Sequence, residues 1–145
     1  MNSVSKDLLK ILKTHHYLIF STRVGFYGQS QEWVPDVSDY PKSLSISENT
    51  FSMKDRCQDK TIPALRSNFI QIRLFDLQYD AGYNDAFKIE RFLDQLPAFS
   101  VDYGLEVCYY QTILSDGDPF LLEKDAKDRY IFICNFEVKR TVKPK

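Results

Sequence analysis

A chain of 145 residues that is 43% hydrophobic, 27% charged and 14% aromatic has the composition of one folded domain. It excludes long disordered, collagen-like and linker-like character. The net charge of −1 argues against the basic face that nucleic-acid binding wants. No apolar run of about 18 residues and no basic-then-apolar leader is present, so the expectation is a soluble, cytoplasmically made protein without a membrane span.

In chain order, Val4, Leu8, Leu9, Ile11 and Leu12 fall at helical spacing. Ser3 or Ser5 is positioned to cap this first helix, and Asp7 suits its first turn. Residues 17–21 (Tyr-Leu-Ile-Phe-Ser) read as a short strand. From 25 to 60 periodicity is lost, and the stretch is expected to be an irregular insertion with a second strand somewhere in 44–53. Residues 69–75 then alternate cleanly: Ile70, Ile72 and Leu74 share one face and Gln71 and Arg73 the other, a half-buried strand. After Asp80-Ala81-Gly82, the positions Tyr83, Ala86, Phe87, Ile89, Phe92, Leu93 and Leu96 define an amphipathic helix that Pro97 stops. Strands are expected at 105–114 and 130–138, the start of the latter apolar on both faces and so covered on both. Residues 115–129 look too long for a tight hairpin and too polar for a strand. The predicted fold is α+β: a single small domain over 1–145, an about four-stranded, mainly antiparallel sheet, and two amphipathic helices on one face.

Charge is segregated along the chain. Residues 1–75 balance to +3, residues 76–128 to −8 and residues 129–145 to +4. That pattern suits head-to-tail self-association. Candidates for catalysis are few. Cys57, Cys108 and Cys134 form no C-x-x-C, and the last two lie in apolar strands where a buried, inert thiol is expected. His15 and His16 are adjacent and point apart, which suits the carbonyl end of the first helix better than a catalytic dyad. Gly25-Phe-Tyr-Gly28 lacks the lysine and helix of a phosphate loop. Asp116, Asp118, Asp125 and Asp128 do not follow the twelve-residue calcium pattern, so a solvated acidic segment is expected over a metal site. The reading is of no catalytic, cofactor-binding or metal-binding residues. Trp33, Tyr40 and Phe51 in the irregular stretch are candidates for anchoring a partner or pinning the stretch to its own domain.

Ile70-Gln71-Ile72-Arg73, then Ala86, Ile89 and Leu93 on a helix, then Asp118-Pro-Phe-Leu-Leu-Glu-Lys-Asp125 with Arg129-Tyr130, lead into Asn135-Phe136 and Val138. In order and spacing this half of the chain, roughly 69–139, resembles the tail terminator (minor capsid, tail-completion) proteins of long-tailed bacteriophages. The resemblance implies a ring subunit, six to a ring, that caps the tail tube and ends its growth. The ring offers its other face to the head connector or head-closure protein and lets genome DNA pass unheld through its lumen. Location would be the virion, at the head–tail junction. On this reading interface residues are sought in Trp33, Tyr40 and Phe51 and in the acidic segment, at Asp116, Asp118, Glu123, Asp125 and Asp128. The resemblance does not extend over 25–60, and the first helix matches in position only. Two alternatives stand beside it: a head-closure or connector ring protein, and a small metal-dependent enzyme or nuclease built on Asp116, Asp118, Asp125 and Asp128.

Overall fold

In the computed structural model, residues 3–14, 21–26, 42–55 and 64–145 are described. Helix α1 spans Val4–Thr14, and strands β1 (Ser21–Phe26), β2 (Lys42–Asp55) and β3 (Leu65–Asp76) follow. Helix α2 covers Tyr79–Asp94, and β4 (Phe99–Asp102), β5 (Glu106–Ser115), β6 (Phe120–Lys124) and β7 (Tyr130–Pro144) complete the order. The strands form one seven-stranded sheet in the order β1-β2-β3-β7-β5-β4, with β6 pairing β7 off that path. All pairings are antiparallel except β1 with β2.

This is the expected α+β class, with mostly antiparallel strands and two helices, but with more than four strands. The stretch 25–60 contains all of β2, which covers 44–53, where a second strand is expected, and extends beyond it at both ends. There Ser43, Ser45 and Ser47 alternate with Leu44 and Ile46, and the serine face hides the period from a reading keyed to apolar runs. The first strand is displaced: β1 starts at Ser21, where the expected one ended, and residues 15–20, with His15 and His16, lie outside the described residues. Cys57 lies outside them as well.

Strand β7 is the spine. Along one edge β3 pairs it from Tyr130 to Thr141. The other edge is shared by two strands laid end to end, β6 against Tyr130–Ile133 and β5 against Phe136–Pro144. As expected from its apolar start, Ile131, Phe132, Ile133 and Cys134 are all buried.

One face of the sheet carries Leu44, Ile46, Ile70, Ile72, Leu74, Phe132, Cys134, Phe136 and Val138. These pack with Val4, Leu8 and Leu12 of α1 and with Ala86, Ile89 and Leu93 of α2 in one cluster. Each such fully buried Leu or Ile contributes roughly 1.5–3 kcal/mol. Ser3 caps α1 by accepting the Lys6 N–H at 3.2 Å, and Glu48 accepts the Ser5 N–H at 2.9 Å, placing a carboxylate at the positive helix end.

Asp7 goes further than a first-turn acid. It is buried and accepts hydrogen bonds from the Tyr103 and Tyr110 hydroxyls. Burial, then these bonds to a carboxylate, push both phenols above their ordinary range. The bonds tie α1 to the β4–β5 hairpin, beside buried Arg140. The only acid of α1 is thereby turned inward, leaving Lys6, Lys10 and Lys13 exposed on its outer side.

Helix α2 begins without a side-chain cap of its own residue Gln78. Asp76 instead accepts the Gln78 N–H at 2.9 Å, while Lys42 stands 3.4 Å from the same carboxyl group. Its end near Pro97 agrees with the sequence, although the helix starts one turn earlier than Tyr83. Gly82 lies against Phe132, and the Tyr79 ring meets Phe132 and Tyr130 edge-on at 5.4 and 5.3 Å.

Candidate functional site

Residues 115–129 are not the irregular polar segment expected. Their centre, Phe120-Leu121-Leu122, is an apolar triplet that pairs with the start of β7, so the segment folds as a β-hairpin with a short strand. Polar flanks on both sides conceal this triplet in the sequence. Pro119, which is buried, fixes the entry, and Gly117 takes φ +113, a conformation that L side chains rarely adopt.

The hairpin closes on Asp125. The Asp128 N–H donates to the Asp125 carbonyl at 3.2 Å, and Asp128 itself sits at φ 62, the left-handed position that Asp tolerates better than most. The Asp125 carboxylate then staples the turn. Its Oδ1 accepts the Lys127 and Arg129 backbone N–H groups, both at 2.9 Å. Its Oδ2 accepts Arg129 Nε at 2.8 Å and pairs with the guanidinium at 2.6 Å. Burial works to raise the pKa of this carboxyl, but the bonds from Arg129 and Lys127 outweigh it and hold the group below the ordinary Asp value. Arg129 is fully buried, with its guanidinium 4.8 Å from the Phe75 ring centre and 3.5 Å from Ser43 Oγ.

Asp125 is thus committed to its own turn. Asp116, Asp118, Glu123 and Asp128 are exposed around the hairpin. Among the described residues no three His, Cys, Asp or Glu side chains gather as metal ligands would. Trp33 and Tyr40 lie outside the described residues, and Phe51 is described only as a backbone position of β2.

The structure brings forward three residues that the sequence reading passed over. Phe120, Leu121 and Leu122 are 47%, 41% and 46% exposed. Phe120 lies on the face of Ile133, and Leu121 on the face of Phe132. Every residue of β6 is exposed, and among the described residues the strand pairs with β7 alone. An edge strand of this kind ordinarily carries charge or a cover. Here the signal available in the sequence was three consecutive apolar residues inside an acidic stretch.

Between the end of β5 and the start of β6, the face away from the helices holds an open groove of about 430 Å³. Gln71 and Asn135 line it, Gln71 Nε2 donating to Asn135 at 3.1 Å, and Arg73 Nε donates to Gln71 at 2.8 Å. Asp116, anchored by its N–H to the Asn135 carbonyl at 2.9 Å, forms one wall with Leu114, which is 48% exposed. Of the two thiols described, Cys108 and Cys134 are both free and buried in the sheet, and burial pushes the Cys134 thiol up to about 12. Both are buried, as their apolar strands lead one to expect.

No protein-family model matches the chain, and comparison with curated proteins gives no match. Among the described residues no helix is long and apolar enough to cross a membrane.

Proposed function

We propose that this protein is a structural subunit that works by assembling with copies of itself, of the tail-terminator kind that its second half resembles. In this reading six copies close a ring that caps a phage tail tube, ends its growth and presents a joining surface to the head connector or head-closure protein, with genome DNA passing through unheld. The observation that carries the reading is strand β6. It sets three consecutive apolar side chains, each nearly half exposed and divided between the two faces of the strand, on a stapled hairpin whose outer edge has no partner among the described residues. Such side chains suit the centre of a contact of about 800 Å² per partner. The buried commitment of Asp125 to Arg129 weakens the rival reading of a metal-dependent enzyme, because that reading needed its carboxylate.

The test is mass measurement in solution with negative-stain microscopy on the purified chain and on Leu122→Asp. The expected result is a closed ring for the natural chain and a folded monomer for the variant. A natural chain that stays monomeric up to millimolar concentration would overturn the reading.

A further inference from the structure

The geometry points to the partner of the β6 hairpin: the exposed lysine stripe of α1 on a second copy of this chain. The inference rests on the reading of the protein as a self-assembling subunit and names the two surfaces that meet.

The hairpin offers Phe120, Leu121 and Leu122 with the carboxylates of Asp118, Glu123 and Asp128 exposed around them. Its two exposed cations are Lys124, seated 4.5 Å from the Tyr130 ring centre, and Lys127 at the turn, so the exposed surface of the hairpin is acidic on balance. Helix α1 offers the complement. Lys6, Lys10 and Lys13 recur at spacings of four and three, which puts them in one stripe about 10 Å long. Leu9 beside the stripe is only partly buried and gives it an apolar border. The single acid of the helix, Asp7, is used up inside.

The two surfaces of one molecule lie apart. Helix α1 is fastened at Tyr110, level with Arg140 of β7, and at Glu48 of β2, level with Phe136, whereas β6 pairs with β7 at Ile133 and before. Three to seven residues of strand, about 10–23 Å, separate those levels, and β3 and β7 stand between Glu48 and β6. A hairpin docked on the α1 stripe therefore belongs to a neighbour, and each copy keeps one free surface of each kind. That is a heterologous contact, the kind that closes into a ring when its rotation allows.

The experiment is a reciprocal charge swap on exposed side chains, which leaves the core untouched. One variant carries Lys6→Glu, Lys10→Glu and Lys13→Glu; the other carries Asp118→Lys and Glu123→Lys. Circular dichroism verifies that each is folded, and sedimentation velocity follows association at about 50 mM and 500 mM salt. Each variant alone should need at least about tenfold higher concentration to associate than the natural chain, because like charges then face each other at every contact. Mixing the two in equal amounts should restore association, since each contact in an alternating assembly pairs opposite charges again. High salt should weaken the restored assembly. Swaps that leave the association of the natural chain unchanged, or a mixture that stays apart, would overturn the α1 assignment. A natural chain that assembles while both swaps are silent would leave the self-assembly reading in place and remove this contact alone.

Discussion

Replacing Asp125 by Ala removes the acceptor of two backbone N–H groups and the carboxylate 2.6 Å from a guanidinium that has no solvent access. Breaking a buried pair from one side costs about 3–5 kcal/mol, most of it the penalty on the remaining charge. The hairpin lies at the sheet edge and can open locally, so the expected loss is at the low end, about 3 kcal/mol. With a urea dependence of about 2 kcal/mol per molar, the midpoint should fall by about 1.5 M at unchanged slope. Asp125→Ala combined with Arg129→Met should recover much of that, because an apolar side chain of similar length takes the place of the buried cation beside Phe75. The pH dependence has a definite sign. The folded-state pKa of Asp125 is depressed, so the pair stabilises fully above the ordinary Asp value, and its contribution is lost as pH falls through the lower, folded value. Acid unfolding of Asp125→Ala should accordingly be less steep than that of the natural chain. A loss under about 1 kcal/mol, or a double variant no more stable than Asp125→Ala, would refute this account of the staple.

Gly82→Ala should destabilise although Gly82 is helical. An exposed helix position would gain up to about 1 kcal/mol, but here the new Cβ would come within 2.7 Å of Phe132 and 2.8 Å of the Asp76 Cβ, and overpacking costs about 1–3 kcal/mol. Asn84→Ala, exposed on the same helix, is the control expected to raise the thermal midpoint slightly, and a midpoint for Gly82→Ala above the natural one would contradict the close packing. In a Cys57→Ala background, neither Cys108 nor Cys134 should react with an aromatic disulfide reagent at pH 8 until denaturant is added; rapid labelling of the native protein would show that these thiols are open to solvent.

What the sequence disclosed depended on how one-sided each segment's burial is. The apolar face of α1 and the alternation of Ile70, Ile72 and Leu74 each write a period into the chain, the start of β7 writes an unbroken apolar run because both its faces are covered, and all three hold. Strand β2 was blurred because its second face is serine, and β6 because both of its faces are open, so neither face had to select a pattern. Short β4, with Phe99 and Val101 as its only inward residues, is too brief for periodicity to register. In the acidic segment the sequence displays the carboxylates plainly. Its apolar triplet and the inward use of Asp125 depend on pairing with β7 and on a turn that folds back on itself, and composition does not carry that information. The buried role of Asp7 likewise needs Tyr103 and Tyr110, about a hundred positions away in the chain.

The two-sided pairing of β7 bears on how the nascent polypeptide matures. Strands β3, β5 and β6 all gain a ladder partner from residues translated after them; β3 can pair earlier with β2 and β5 with β4, but the joint between those two halves of the sheet waits for β7. Until those residues leave the ribosome, β3 carries an open row of amides along its full length, and the inner face of the sheet lacks Phe132, Phe136 and Val138. Folding is therefore expected to occur as a late, concerted event rather than by stepwise growth from the amino end, with partly synthesised chains at risk of sticking to one another.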